Sequence, residues 1–344
     1  MTAPLAYDAE RFTKATLTAT PTLLFNNLTA DESTLGYVHL NQAMMLPISG
    51  ALSGDTVEET PVLRKESNPL FQAKLVTLGA ESFFVLCSTT GIHIYDGKGK
   101  QLMHSHALPE GKTLTTAAGA ELANHARGVS SSFSADGRGQ ICIGSVGGSI
   151  FVIDYDGVRF RTSATLTQHK AAITDLGSEV DSYRGAAPPG AEQPRPILIS
   201  ADDAGMVKVW GCNTSEEFCE LFGVQLTAPV SAVAARGDKV IAAEISGMVS
   251  FISMTSQQVY CELRAHSRYL SAMALHPTRD VISTVSEDST VAVWNIPREV
   301  GEEAMCVFAT HWRDALLTGV AFCGDRADSL AVCAHDQLDL CVWQ

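Results

Sequence analysis

Two pairs of neighbouring side chains have the types and spacing that could carry chemistry. His104 and His106 stand two residues apart, so on a β-strand both imidazoles would face one side and could bind one metal ion. Two ligands are too few for a metal site, and the sequence predicts a packing or surface role for both. His335 beside Asp336 falls in a hairpin turn, where a structural hydrogen bond is expected rather than acid–base catalysis.

No motif for a nucleophile or a cofactor accompanies these residues. The sequence lacks Gly-x-x-x-x-Gly-Lys-Ser/Thr, Gly-x-Ser-x-Gly and His-Glu-x-x-His. The glycine-rich stretch at 144–149 leads into a strand, which indicates a hairpin turn and not a phosphate loop. We therefore predict no catalytic residues, no metal and no cofactor.

Composition restricts the class of partner. A net charge of −14 over 344 residues, with no basic stripe, argues against nucleic-acid binding. No signal peptide and no run of about 18 apolar residues is present, which predicts no membrane insertion. The nine cysteines form no Cys-x-x-Cys pair and most lie in apolar runs, as expected for reduced thiols in the cytoplasm.

The elements that must position any site are short strands in repeated hairpins. Three segments have the same order of strand, turn and strand ending in tryptophan: 199–210, 283–294 and 331–343. Four further hairpins place another residue at the tryptophan position. The seven positions are Leu46, Tyr95, Ile153, Trp210, Ile252, Trp294 and Trp343, with spacings of 49, 58, 57, 42, 42 and 49 residues.

This period is typical of a WD-repeat β-propeller, in which each repeat forms one four-stranded blade. We predict an all-β fold with seven blades in one domain over residues 1–344; a six-bladed ring is the alternative, because blade one is the weakest repeat. A histidine before a blade commonly bonds to the turn aspartate and the third-strand tryptophan. His266, Asp288 and Trp294 fit this structural hydrogen-bond chain, with 28 residues from histidine to tryptophan.

Two segments modify the repeat. The chain ends one residue after Trp343, so the outer strand of the last blade must come from the N-terminal residues 1–20, with residues 11–18 as its strand. The stretch 178–196 contains four prolines and is predicted to be an inserted surface loop in blade four.

Several of these segments together resemble the WD-repeat-containing protein 54 family. They are LLFNNL (23–28), GIHIYD (91–96), ARGVS (126–130), ITD (173–175), SADDAGMVKVW (200–210) and RAHSRYLSAMAL (264–275). The resemblance implies a cytoplasmic scaffold without known catalysis and a connection to cilia or flagella in organisms that have them. It supplies no catalytic or ligand-binding residue.

We therefore predict a non-catalytic scaffold that binds protein partners, whose identity the sequence does not give. The first candidate contacts are connections around Arg127, Arg268, Tyr269, Trp312 and Arg313, and the second is the loop 178–196. Trp312 fits a binding hot spot and a cover over the core equally well.

Two other functions stay open at this stage. A structural or transport-associated component of a cilium, flagellum or other microtubule-based assembly differs from the scaffold only in its partner. A propeller hydrolase or lyase would need several acids near the central channel, and Asp175 is the only carboxylate in the predicted innermost strands.

Overall fold

The computed structural model describes residues 7–54, 56–62, 67–109, 113–115, 121–133, 139–178, 195–212 and 218–344. It contains seven four-stranded antiparallel sheets, which are the blades of an all-β, seven-bladed propeller. The predicted fold class is confirmed, and the six-bladed alternative is wrong.

The strands follow the blades in chain order. After β1 (Phe12–Thr16) come β2 (Thr29–Ala30), β3 (Thr34–His39), β4 (Gln42–Pro47), helix α1 (Ile48–Ser53) and β5 (Thr60–Pro61) in blade one. Blade two contains β6 (Leu70–Leu78), β7 (Glu81–Ser88), β8 (Gly91–Asp96) and β9 (Leu102–Ala107). A separate hairpin of β10 (Thr113–Thr115) and β11 (Glu121–Ala123) follows. Blade three contains β12 (Ala126–Phe133), β13 (Gly139–Ser145), β14 (Ile150–Tyr155) and β15 (Phe160–Leu166).

The remaining blades repeat the same order of four strands. Blade four contains β16 (Ile173–Gly177), β17 (Arg195–Asp202), β18 (Met206–Cys212) and β19 (Phe218–Gln225). Blade five contains β20 (Val230–Arg236), β21 (Lys239–Glu244), β22 (Met248–Ser253) and β23 (Gln258–Arg264). Blade six contains β24 (Leu270–Leu275), β25 (Val281–Ser286), β26 (Thr290–Asn295) and β27 (Cys306–His311), and blade seven contains β28 (Leu317–Cys323), β29 (Ser329–Ala334) and β30 (Asp339–Trp343) with β1.

The chain divides into two compact units. Unit 1 comprises residues 1–75, 243–251 and 260–344, and unit 2 comprises 76–242 and 252–259. Each has its own buried apolar clusters; in unit 1 one cluster contains Leu35, Leu46 and Val342, and in unit 2 one contains Val85, Ile94 and Ile153. A single domain over 1–344 stays a prediction.

The third strand of every blade contains one of the seven positions that the repeat singles out. Trp210, Ile252 and Trp343 are at most 2% exposed, because the middle strands of a blade are covered on both faces. The tryptophan positions are therefore packing positions.

Strand β1 completes blade seven, as predicted. It pairs antiparallel with β30 from Phe12 opposite Trp343 to Thr16 opposite Asp339. Ala15 is fully buried, and Lys14 Nζ lies 2.9 Å from Asp339 Oδ2. On the other side of β1, the backbone N–H of Val57 donates to the carbonyl of Thr16 at 3.0 Å, so blade one also holds this strand.

The chain enters blade one through an irregular segment. Regular pairing begins only at Thr29. Asn26 has a left-handed backbone with φ of 53°, and the N–H of Asn27 donates to the carbonyl of Thr318 in blade seven at 2.9 Å. The asparagine side chain also bonds to Val38, so this segment is held by polar contacts in place of a ladder.

The inserted loop predicted at 178–196 falls mostly on residues 179–194, which lie outside the described residues. At its described start, Ser178 Oγ donates to the carbonyl of Ser131 at 2.5 Å, and Arg195 begins β17 at its end.

Deleting residues 1–20 should lower the melting temperature sharply. The deletion removes the pairing partner of β30 and the buried side chains of Ala15 and Leu17. Thermal unfolding followed by circular dichroism measures the effect. Lys14→Ala is the control, since it removes only an exposed ion pair, worth at most about 1 kcal/mol. A deletion variant that melts like the wild type would contradict the closure.

Candidate functional site

The histidine before blade six belongs to a polar chain that anchors two connections of unit 1. His266 Nδ1 donates to Asp288 Oδ1 at 3.2 Å, and His266 Nε2 accepts from the hydroxyl of Thr284 at 2.8 Å. Trp294 Nε1 donates to the same hydroxyl at 2.9 Å. The structure thus brings His266, Asp288 and Trp294 together through Thr284, which sequence reasoning missed.

The electrostatics of this chain fix its protonation. Burial lowers the pKa of His266, although the Asp288 carboxylate opposes the shift. Burial raises the pKa of Asp288, but hydrogen bonds from the backbone of Ser267 and Thr290 and the nearby His266 outweigh it and hold this pKa below its ordinary value. A neutral imidazole with both nitrogens bonded is a rigid anchor, not a poised base.

Blade four contains a second complete chain that the sequence analysis did not assign. His169 Nδ1 donates to Asp202 Oδ2 at 2.8 Å, and the Ser200 hydroxyl lies 2.6 Å from His169 Nε2. Trp210 Nε1 donates to Ser200 Oγ at 2.8 Å. Sequence reasoning missed this chain because the inserted stretch 178–196 lengthens the separation between His169 and Ser200. In addition, Ala204 occupies the position that corresponds to Asp288 of blade six.

Blade seven has the tryptophan without the chain. Within the described residues, Trp343 Nε1 is buried with no hydrogen-bond partner. In blade six, Thr284 lies two residues after Ile282, which pairs with Trp294. In blade seven Leu330 pairs with Trp343, so Val332 occupies the position that corresponds to Thr284. The indole packs against Phe12 and Phe308 instead, at centroid distances of 5.5 and 6.2 Å.

The candidate contacts Arg268, Tyr269, Trp312 and Arg313 lie in two connections that flank one turn. The N–H of Glu287 donates to the carbonyl of Tyr269 at 3.0 Å, and the N–H of Trp312 donates to the carbonyl of Ser289 at 2.9 Å. Arg268, Tyr269 and Arg313 are exposed, whereas Trp312 is half-buried and packs against the core of blades six and seven. Trp312 therefore covers the core, and the other three present their side chains outward.

Arg127 is placed differently from these four residues. It lies in β12, in unit 2, and is half-buried rather than in an exposed connection. Burial lowers the pKa of its guanidinium, and the carboxylates of Asp175 and Asp203 oppose that shift. Because these acids balance its charge, Arg127 is an internal cation of unit 2.

Four exposed leucines lie on loops of unit 1 that are bonded to these two connections, and sequence reasoning missed all of them. They are Leu23, Leu40, Leu316 and Leu338. The N–H of His335 donates to the carbonyl of Leu316 at 2.8 Å, and the N–H of Asp336 donates to the carbonyl of Pro21 at 3.3 Å. These bonds link the connection before blade seven, the β29–β30 turn and the segment entering blade one. We call this series of loops the loop row: residues 265–269, 287–289, 312–316, 335–338, 21–23 and 40–41.

The last link of the loop row joins the segment at Pro21 to the β3–β4 turn, where the N–H of Leu40 donates to Thr22 Oγ1 at 2.5 Å. Large apolar side chains project from successive members of the row and are between 40% and 64% exposed. They are Leu23, Leu40, Tyr269, Leu316 and Leu338. Because the loops are bonded one to the next, these side chains lie along one series of connected loops.

Backbone strain is concentrated in the same loops. Seven described residues other than glycine have positive φ, and four of them lie in the loop row: Leu40, Ser289, Asp314 and Asp336. Leu40, with φ of 52°, is the costly case, because an aliphatic side chain gains no local hydrogen bond from this conformation. Such residues persist where the surroundings hold them and are enriched at binding sites.

The two histidines of the possible metal pair lie in β9 of unit 2 and pack against blade three. The His106 ring lies 4.7 Å from the Phe151 ring, and its Nδ1 is 3.0 Å from Thr162 Oγ1. The His104 ring lies 6.2 Å from that of Phe160. Among the described residues no group of three or more His, Cys, Asp or Glu is arranged to hold a metal ion, and no helix is long and apolar enough to cross a bilayer.

Four-stranded blades with a third-strand tryptophan bonded through Ser or Thr to a histidine and an aspartate define the WD-repeat class of β-propeller. Within that class, the sequence model of the WDR54 family matches residues 26–343, and the chain belongs to this family. WD repeat-containing protein 54 of Mus musculus is 28% identical over 338 residues, covering 92% of this chain and 93% of the relative. The Homo sapiens protein is 27% identical over 320 residues, covering 89% and 88%.

Solved structures are similar in fold. The structure of U3-55K has a TM-score of 0.72 at 12% identity and covers 98% of this chain and 99% of its own. A chain of the mitotic checkpoint complex crystal structure has a TM-score of 0.70 at 14% identity, covering 100% and 96%. At these identities the likeness shows the propeller fold alone.

The buried histidines should make stability depend on pH. Burial lowers the pKa of His125 from 6.5 to about 4, so between these pH values the unfolded chain binds more protons and stability falls as pH falls. We expect His125→Gln to reduce the slope of unfolding free energy against pH in this window by up to about 1.4 kcal/mol per unit. Urea unfolding at pH 4.5 to 8 measures it, with the pH 8 value as the internal reference. Equal slopes in variant and wild type would contradict a buried neutral His125.

Proposed function

We propose that this WD-repeat propeller is a non-catalytic, cytoplasmic scaffold and that it binds a protein partner through the loop row of unit 1. The observation that carries the proposal is the set of five exposed apolar side chains on loops that are hydrogen-bonded one to the next. The described residues include twelve exposed large apolar side chains, and five of them lie in this row. A concentration of exposed apolar side chains on one part of a folded protein is typical of a binding site.

The chemistry of the loop row favours a partner segment with apolar side chains. Four of its five exposed apolar side chains are leucines, and Tyr269 supplies an aromatic ring that is often an energetic anchor in interfaces. Arg268 and Arg313 are exposed on the two connections that flank the Glu287–Ser289 turn. These arginines suit a partner that carries a carboxylate at that end.

A binding role rather than catalysis is supported by the innermost strands. In the described part of these strands Asp175 is the only carboxylate, and its Oδ2 accepts a hydrogen bond from the backbone N–H of Val233 at 2.9 Å. A carboxylate used in this way ties neighbouring blades together. Hydrolysis of a glycosidic bond needs a pair of free acids.

A protein partner in the cytoplasm is supported by charge and by cysteine chemistry. A net charge of −14 disfavours binding to phosphate backbones. None of the eight cysteines whose side chains are described forms a disulfide, and burial raises the pKa of Cys87, which keeps this thiol protonated. The ciliary or microtubule-based alternative differs only in the partner, so proximity labelling in the native cell separates the two.

Alanine at Arg268, Tyr269 and Arg313 together should abolish co-purification of the partner from cells of the source organism. All three side chains are exposed, so the melting temperature should change little; Trp312 is left in place because it packs on the core. A second variant with serine at Leu40, Leu316 and Leu338 should have the same effect.

The matched control places serine at Leu102 and Val158, two exposed apolar residues of unit 2. Quantitative mass spectrometry of the eluates compares the variants with the wild type. Retention of the same partner by both loop-row variants, or its loss in the control, would contradict the assignment of this surface.

A further inference from the structure

The closing strand β1 is packed against a segment of blade one that joins β4 to β5. We call this segment the clasp; its described residues are 48–54 and 56–59. Its helix α1 buries Ile48 and Ala51 in the same cluster as Ala15 of β1. The clasp therefore shares one apolar core with the closing strand.

The clasp also approaches the backbone of β1. Thr56 forms a parallel bridge with Thr16, beside the hydrogen bond from Val57 to the same residue. Gly54 ends α1 with φ of 79°, and a Cβ on it would lie 2.7 Å from Thr13 Cγ2. Both ends of β1 are therefore in contact with the clasp.

One carboxylate at the end of the clasp receives the donors that follow β1. Glu59 Oε2 accepts hydrogen bonds from the backbone N–H groups of Thr18, at 2.5 Å, and Ala19, at 3.2 Å, and from the Thr18 hydroxyl. Within the part of the chain that the structure describes, these three donors bond only to this carboxylate. Hydrogen bonds to a charged acceptor are stronger than those between neutral groups.

The other oxygen of this carboxylate connects the site to β3. Tyr37 is 1% exposed, and its hydroxyl contacts both Glu59 Oε1 and the carbonyl of Ala19, which is 2.6 Å away. Strand β3 continues from Tyr37 into the turn that contains Leu40 of the loop row. Glu59 thus lies between the segment that follows β1 and the strand that leads to Leu40.

The segment that this carboxylate holds is bonded to two members of the loop row. Before it, the N–H of Leu17 donates to the carbonyl of Leu338 at 2.7 Å. After it, Thr22 Oγ1 accepts from the N–H of Leu40 at 2.5 Å. Residues 17–22 therefore connect the β29–β30 turn to the β3–β4 turn.

We propose that Glu59 is a positioning residue for the partner surface and couples it to the closing strand. While Glu59 binds residues 18–19 and Tyr37, the loops that contain Leu23 and Leu40 keep their positions. When these bonds break, β1 and both loops become mobile together, so displacement of β1 switches partner binding off. This inference rests on the proposed function, because it takes the loop row as the partner surface; the coupling itself is a property of the purified chain.

Hydrogen exchange of the purified protein, followed by mass spectrometry of short overlapping peptides, tests the coupling. Glu59→Ala should speed exchange in residues 17–22 and at Leu40 at least about tenfold, because it removes hydrogen bonds to a charged acceptor. Peptides of β13 in unit 2 should exchange as in the wild type. Tyr37→Phe, which keeps the ring and removes the hydroxyl, should speed exchange at Leu40 in the same direction.

Glu58→Ala is the matched control, because Glu58 is the neighbouring glutamate, is exposed and makes no hydrogen bond within the described residues. Unchanged exchange at Leu40 in Glu59→Ala and Tyr37→Phe would overturn the coupling. The same conclusion would follow from equal acceleration in β13, or from an equal effect of Glu58→Ala.

The co-purification assay distinguishes this inference from the proposed function. Glu59→Ala should lose the partner as the serine variant at Leu40, Leu316 and Leu338 does, and Glu58→Ala should retain it. Retention by Glu59→Ala of a partner that the serine variant loses would overturn the role of Glu59 in binding. Retention by the loop-row variants themselves would contradict the proposed function, while the exchange data still decide the coupling.

Discussion

The closure of blade seven is the constraint on which the rest of this fold depends. The chain supplies three strands of that blade from its C-terminal residues and the fourth, β1, from residues 12–16. Ala15 and Leu17 of the N-terminal segment are buried in the same cluster as Leu340 and Val342. One end of the chain is therefore packed into the other, and residues far apart in sequence share one core. The same closure positions the segment that enters blade one, and with it Leu23 and the Leu40 turn of the loop row.

The blades differ in the groups that surround the indole of the third-strand tryptophan. In blades four and six the buried indole N–H is satisfied through Ser200 or Thr284, and a histidine then links this hydroxyl to an aspartate. A buried donor left without a partner costs about 1 to 3 kcal/mol, a cost that blades four and six avoid and that Trp343 Nε1 in blade seven does not. In blade seven Val332 removes the hydroxyl, and aromatic contacts with Phe12 and Phe308 surround Trp343. Phe12 belongs to β1, so in blade seven aromatic packing against the closing strand replaces the hydrogen-bonded chain that blades four and six contain.

Much of the fold could be predicted from sequence because it depends on local periodicity. The order of strand, turn and strand in the repeated hairpins located the third strand of all seven blades. The last blade lacked an outer strand, which indicated that residues 11–18 supply it. The histidine chain of blade six was found because its spacing is regular. That of blade four was missed because an insertion separates His169 from Ser200, and Asp202 precedes the usual aspartate position.

The loop row could not be predicted for a different reason. Leu23, Leu40, Leu316 and Leu338 are ordinary apolar residues in sequence, and only long-range hydrogen bonds between turns connect the loops that contain them. The sequence analysis grouped Arg127 with Arg268, Tyr269, Trp312 and Arg313 as a residue of a connection; its pairing with Gly144 places it in a strand. Exposure is a tertiary property, and neither hydropathy nor spacing encodes it.

Site-specific photo-crosslinking in living cells tests most directly whether the loop row is the partner surface. A benzophenone amino acid is placed singly at Leu40, Leu316 or Leu338, and at Val158 of unit 2 as the exposed reference. The account predicts that the three loop-row positions form covalent adducts with one and the same protein and that Val158 does not. Adducts of that protein at Val158 alone, or unrelated proteins at each of the three positions, would contradict it.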